Sequence, residues 1–136
     1  MTQAISRPLS GIRVIGLEQY MAGPYCTMLL ADAGAEVVKI ERPGKGDPRR
    51  GIPPFARKDD RKKAAGYMAY NRNKKSLALN VAAPEGQEIL RKLAAVSDVV
   101  VRLNDNPTCD SLHRTISIPT KRLTRSMRAK LRNGSS

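Results

Sequence analysis

Tryptophan is absent from this 136-residue chain, phenylalanine occurs once and histidine once. With only four tyrosines besides, there is little aromatic surface on which nucleic-acid bases could stack. Acidic residues are also scarce, 12 against 25 lysines and arginines, a formal net charge of +13. The two cysteines, Cys26 and Cys109, are far apart and lack the close spacing of a zinc or redox motif. Nothing approaches the roughly 20 apolar residues of a membrane-spanning helix. The first residues, MTQAISRPLSG, have no apolar core of the kind that exports a protein. A reduced, cytoplasmic protein without a metal is the expectation. Two phosphate motifs are missing as well: no GxGxxG follows the first apolar run, and no GxxxxGK[ST] occurs anywhere. The commonest dinucleotide and P-loop chemistries are thereby disfavoured. One histidine, His113, cannot assemble a Ser/His/Asp or Cys/His set.

What is present centres on Ile12–Arg42. Ile12–Leu17 is apolar and rich in β-branched residues, Tyr25–Ala33 is apolar nearly all round, and Val37–Ile40 supplies a second strand pattern. Strand, helix and strand follow. Pro24 suits the first helical position, where a missing N–H costs nothing. The all-round apolar pattern predicts a helix covered on more than one side, with Cys26 as a small buried side chain. Gly34 stands where a helix end needs positive φ. Residues 43–70 then form a long irregular connection containing the charge run Arg57–Lys63.

Ser76–Val81 reads as a third strand and Pro84–Ser97 as the clearest helix, with Ile89, Leu90, Leu93 and Ala94 on one face. Val99–Val101 supplies a fourth strand. The order predicts an α/β fold with a mainly parallel sheet and flanking helices. Residues 102–136 differ in character. They hold 8 Lys/Arg against 2 Asp/Glu, with no sustained apolar face, and read as a disordered basic tail apart from a candidate short helix at Leu123–Leu131. Such charge permits a second reading, a small basic protein whose tail contacts nucleic acid or acidic lipid. The missing aromatics and recognition motifs argue against nucleic acid.

Candidate binding residues are cationic. Arg42, Lys45, Arg49 and Arg50 surround two glycines directly after a buried strand, a composition suited to a phosphate-bearing ligand. A solvated basic loop accounts for the same spacing. Asn71–Lys75 (NRNKK) is either a charged turn or a second arm around the same polyanion. No carboxylate pair stands out: Asp59-Asp60 sits in the charge run, and Glu41 is followed at once by Arg42.

The phrases PLSGIRVIGLEQYMAGP, ADAGAEVVKIERPGKGD and NRNKKS, followed by the PEG helix, are specific in this order. Over residues 8–101 the chain resembles the N-terminal part of the family III coenzyme A transferases, the CaiB/BaiF type. The resemblance implies a Rossmann-like large domain, of which residues 1–101 are the incomplete N-terminal part. It also implies an interlocked homodimer and transfer of coenzyme A between an acyl-CoA thioester and a carboxylic acid. By the same resemblance the cofactor-contact positions are Met21, Ala22, Arg42, Leu79, Asn80, Val81 and Ala82, with Arg42 facing the nucleotide phosphates. The family continues with an E-N-[FY]-x-P-G phrase where this chain reads Arg102-Leu103-Asn104-Asp105-Asn106-Pro107. The family's nucleophilic aspartate, which attacks the thioester, lies further along than this chain reaches. Asp98, Asp105 and Asp110 are therefore not its equivalents, and the chain alone is expected to be inactive. The change at Arg102 reads as a frameshift, a truncated gene or an alternative terminus.

Overall fold

The structure, a computed structural model, describes residues 7–56 and 63–102. Cys109, His113, the candidate helix at Leu123–Leu131, the basic tail beyond Arg102 and most of the Arg57–Lys63 run lie outside the described residues. Four strands, β1 (Arg13–Leu17), β2 (Glu36–Glu41), β3 (Lys74–Ala78) and β4 (Val99–Arg102), form one sheet in the order β3-β2-β1-β4. Every pairing is parallel: Val14 lies beside Val37 and Val99, and Val37 beside Lys74. The α/β fold with a parallel sheet is as expected.

Alternation along each strand divides the core in two. Val14 and Val37 face α1 (Ala22–Asp32) and meet Ala31 and Ala35. Ile15, Leu17 and Ile40 face the other way and meet Leu90 of α3 (Pro84–Ala95). The period of two thus places one apolar row under each helix. Of the predicted helical face, Leu90 and Ala94 are buried while Ile89 stays half exposed. The sheet order puts β1 at its centre. The chain moves outward from β1 to β2 and β3, then returns through α3 to β4 on the opposite side. Such a reversal creates a switch point beyond the carboxyl ends of β1 and β4.

Several local expectations are corrected. α1 begins at Ala22, so Pro24 is its third residue, still within the turn whose N–H groups have no intrahelical partner. Only one face of α1 is covered among the described residues: Gly23, Pro24, Thr27, Met28 and Ala31 are buried, whereas Tyr25 and Leu29 are half exposed. Cys26 is exposed rather than buried. Apolar character predicted cover without identifying what would supply it. β3 begins two residues early, at Lys74, and β4 extends to Arg102, beside Leu17. The connection after β2 is not wholly irregular. It contains a 3₁₀ turn at Pro48–Gly51 and a helix, α2 (Ala65–Asn71), which packs on α1 with Tyr70 edge-on to Tyr25 at 6.2 Å. Gly34 has φ +104, as a helix end followed by a strand requires. No helix among the described residues is long and apolar enough to cross a membrane.

Candidate functional site at the carboxyl edge of the sheet

Parallel strands bring their carboxyl ends to one edge, and all seven predicted contact residues lie there. Met21 caps α1 and Ala22 begins it just beyond β1, Arg42 follows β2, and Leu79–Ala82 follow β3. Met21, Ala22, Arg42, Asn80 and Ala82 are exposed; Leu79 and Val81 are partly buried against the α3-side core. The Leu79 N–H donates to the Glu41 carbonyl at 2.9 Å, tying the end of β3 to the end of β2. The Asn80 side-chain oxygen accepts from the Ala82 N–H at 3.2 Å, which turns the loop toward α3. Gly86 lets α3 approach that turn, since a Cβ there would stand 1.9 Å from the Asn80 carbonyl oxygen. Gly86→Ala is expected to displace Leu79–Ala82 and cost about 1–2 kcal/mol, measurable as a lowered urea midpoint.

After Arg42 the loop turns tightly. Gly44 and Gly46 have φ of +72 and +66, which glycine adopts without strain, and a Cβ at Gly44 would meet nothing within 4 Å. Backbone can therefore approach a ligand closely here. Of the four cations in this loop, Arg50 is already engaged. Arg50 makes two hydrogen bonds to the Glu41 carboxylate, at 2.8 and 2.9 Å, and lies 3.7 Å from the Tyr67 ring centroid. Arg49 folds over Gly66, where a Cβ would come within 2.3 Å of its guanidinium, and its Nε is buried without a partner among the described residues. Arg42 and Lys45 are exposed and have no ion pair among the described residues. They remain for an anion. The second basic cluster does not join them. Arg72 and Asn73 bond Asp32 at the end of α1, at 2.6 and 2.8 Å, and Lys75 bonds Glu36 at the start of β2. Arg72, Asn73 and Lys75 thus close the opposite end of the sheet, while Lys74 turns inward.

Beneath the edge lies a feature that sequence reading missed. On the α1 face Lys39 is 1% exposed, and its ammonium lies 2.6 Å from Asp47 and 3.7 Å from Glu18. Lys74, reaching in from β3, lies 3.3 Å from the same Glu18 carboxylate and donates to the Pro24 carbonyl at 2.8 Å. Burial holds the Lys74 ammonium below the ordinary lysine range, against the opposing pull of Glu18. Glu18 also accepts from Thr27 at 2.9 Å, and its second oxygen is buried without a partner among the described residues. Gly16 makes room for it, because a Cβ there would stand 2.1 Å from that oxygen. Glu41 accepts from Arg50, Tyr67, Ser76 and the Asp47 N–H. Three carboxylates (Glu18, Glu41, Asp47) are thus matched by three cations (Lys39, Lys74, Arg50). A trace was present in the sequence: Lys39 and Glu41 stand at period two with Val37, on a strand otherwise buried.

No aspartate among the described residues stands free at this edge. Asp47 is buried in the network, and Asp98 accepts from the Arg13 N–H at 2.9 Å beside the amino end of β1. Exposed positive charge at this edge comes from Arg42 and Lys45, and its buried carboxylates, Glu18, Glu41 and Asp47, are all engaged.

The family model described as CoA-transferase family III matches residues 9–115. The chain belongs to CoA-transferase family III. Its similarity to human succinyl-CoA:glutarate CoA-transferase is 47% identity over 96 residues, 70% of this chain and 21% of that protein. Succinyl-CoA:mesaconate CoA-transferase of Haloarcula marismortui is 51% identical over 94 residues, 68% of this chain and 24% of that protein. Among solved structures, a CAIB/BAIF family protein from Brucella suis superposes with a TM-score of 0.67 at 37% identity, covering 76% of this chain and 28% of that one. A hypothetical protein from Mycobacterium tuberculosis gives 0.67 at 34% identity, covering 79% and 28%. The chain therefore spans about a fifth to a quarter of the length of these curated relatives. The family match continues past β4 to residue 115.

Proposed function

We propose that this chain forms the coenzyme A-binding part of an enzyme that moves coenzyme A from an acyl-CoA thioester to a carboxylic acid. The observation that carries the reading is convergence. Met21, Ala22, Arg42 and Leu79–Ala82, distant in sequence, meet at one edge of the sheet, and Arg42 is exposed there with no ion pair to another described residue. The open, glycine-bearing turn after Arg42 fits a diphosphate that needs backbone contact as well as charge. The two relatives named above share succinyl-CoA in their names, which supports a succinyl thioester as the first donor to test. The chain's own contribution is to bind and orient the nucleotide end of the donor. With Glu18, Glu41 and Asp47 engaged, the 136-residue polypeptide by itself binds coenzyme A without transferring it. The complete enzyme works as an interlocked homodimer in the cytoplasm.

Titration calorimetry of the purified chain with coenzyme A tests this reading. Arg42→Ala is expected to weaken binding about tenfold, the loss of one charge-assisted contact, and to leave the urea midpoint in place. Succinyl-CoA and glutarate mixed with the chain alone are expected to remain unexchanged. A wild-type chain that ignores coenzyme A, or an Arg42→Ala variant that binds it equally well, overturns the proposal.

A further inference from the structure

We propose that Asp47 is a positioning residue for the coenzyme A site, fixing the turn that carries Tyr20–Ala22 relative to the loop that carries Arg42. The proposal rests on the binding role given above and adds what holds that site in shape. Asp47 belongs to a loop, yet it is 1% exposed. One of its carboxylate oxygens accepts from Lys39 at 2.6 Å. The other accepts from the Tyr20 N–H at 3.3 Å and from the Arg49 N–H at 2.8 Å. Its own N–H donates to Glu41 at 3.0 Å, and Lys39 also donates to the Glu18 carbonyl at 3.2 Å. A single carboxylate therefore joins the end of β1, the end of β2 and the 3₁₀ turn.

Two further observations say that this junction shapes the site. Tyr20 has φ +65, a left-handed backbone that a residue with a side chain adopts only when its surroundings enforce it. Its side chain is half exposed, so burial of the ring does not hold it there; the hydrogen bond to Asp47 is the restraint observed. Met21 and Ala22 follow directly, so their direction depends on that conformation. On the other side, the segment from Arg42 to Asp47 contains two glycines at positive φ and is anchored to the sheet again at Asp47. A buried ion pair is a weak source of net stability compared with apolar packing, whereas it is directional, and here it is spent between two ligand-facing loops.

The experiment is a double-mutant cycle on coenzyme A affinity, measured with the full chain. Asp47→Asn keeps an oxygen for the two backbone N–H groups and removes the charge that holds Lys39. It is expected to weaken binding about tenfold when Arg42 is present, and only about threefold in the Arg42→Ala background, because only Met21, Ala22 and the backbone of the loop are then left to misplace. Equal losses in both backgrounds overturn the assignment while leaving the binding reading intact. Should the Asp47 variants fail to fold, amide exchange on the wild-type chain decides. Saturating coenzyme A is expected to slow exchange at the Tyr20 and Arg49 N–H groups about tenfold and to leave the Leu9 N–H, bonded to Ala33 at the far end, unchanged. Unaltered exchange at Tyr20 and Arg49 overturns the proposal. A wild-type chain that binds no coenzyme A overturns both this assignment and the binding role.

Discussion

Lys39→Met is expected to cost this chain about 3–5 kcal/mol of stability. The side chain is of similar length and more apolar, so volume is nearly conserved, and what changes is charge. Lys39 is the partner of Asp47 at 2.6 Å and lies 3.7 Å from Glu18, all three side chains being at most 1% exposed. Without the ammonium, Asp47 keeps only backbone donors and Glu18 keeps Lys74 and Thr27. Two carboxylates then stand in a water-poor site with less than their charge compensated, which costs far more than the intact pair contributes. Ordinary domains are stable by only about 5–15 kcal/mol. Lys75→Met makes the contrast. Lys75 also ends 2.6 Å from a carboxylate, Glu36, but its side chain is 71% exposed, so its loss is expected to shift the unfolding curve hardly at all. Urea titrations of the two variants, followed by circular dichroism, measure the difference. Equal midpoints would show that burial does not govern these pairs.

That contrast also explains which parts of the chain were legible. Strands and the PEG helix follow from local pattern: Val14, Val37 and Ile15 alternate at period two, Pro84 opens α3, and Gly34 takes the positive φ its place requires. α2 is different. Its seven residues carry no strong helical pattern and sit after a proline- and charge-rich stretch, and tertiary contacts hold it, Tyr67 to Glu41 and Tyr70 to Tyr25. β3 starts two residues before its strand pattern does, because Lys74 and Lys75 look like a turn. In the sheet Lys74 reaches under α1 toward Glu18, 56 residues away in sequence, and Lys75 points to solvent on an edge strand. The ion network could not be read before the register of β1, β2 and β3 was known, since register decides which side Lys39, Glu41 and Lys74 share. Six of the seven contact positions were legible only through the family's phrases, while Arg42 also stood out in the basic loop. The composition of those six, a methionine, two alanines, a leucine, a valine and an asparagine, carries no chemistry of its own, and the sheet's carboxyl edge gives them a common place. The basic loop reads as four free charges for a related reason: the sequence does not show that Glu41 takes up Arg50.

Stability is expected to fall steeply on acidification between about pH 4.5 and pH 2, through Glu41. Burial pushes this carboxyl up, yet the hydrogen bonds from Arg50, Tyr67, Ser76 and the Asp47 N–H outweigh it and hold the group at about 2, below its ordinary 4.5. Above pH 4.5 both folded and unfolded chains carry the ionised group, and its full contribution is present. As the pH falls below 4.5 the unfolded chain takes up the proton first, so stability is lost progressively until the folded carboxyl also protonates near 2. The loss amounts to about 2–3 kcal/mol, the lower end allowing for the solvent-facing side of Arg50. Tyr67 gives the mirror effect in alkali. Burial and the hydrogen bond to Glu41 push its phenol well above the ordinary tyrosine value of 10.0, so stability is unaffected below pH 10 and declines as the pH rises beyond it, where the unfolded chain deprotonates first. Asp32 and Glu36 are also held low by their hydrogen bonds with Arg72 and Lys75, but on exposed surface, and they add little to the acid limb. Glu41→Gln separates the contributions. The variant is expected to be less stable than wild type at pH 7 and nearly equal to it at pH 2.5, so that the two curves of urea midpoint against pH converge in acid. Parallel curves would mean that Glu41 does not retain its charge through hydrogen bonding, and the polar network beneath this edge would then be held by Lys39, Lys74, Glu18 and Asp47.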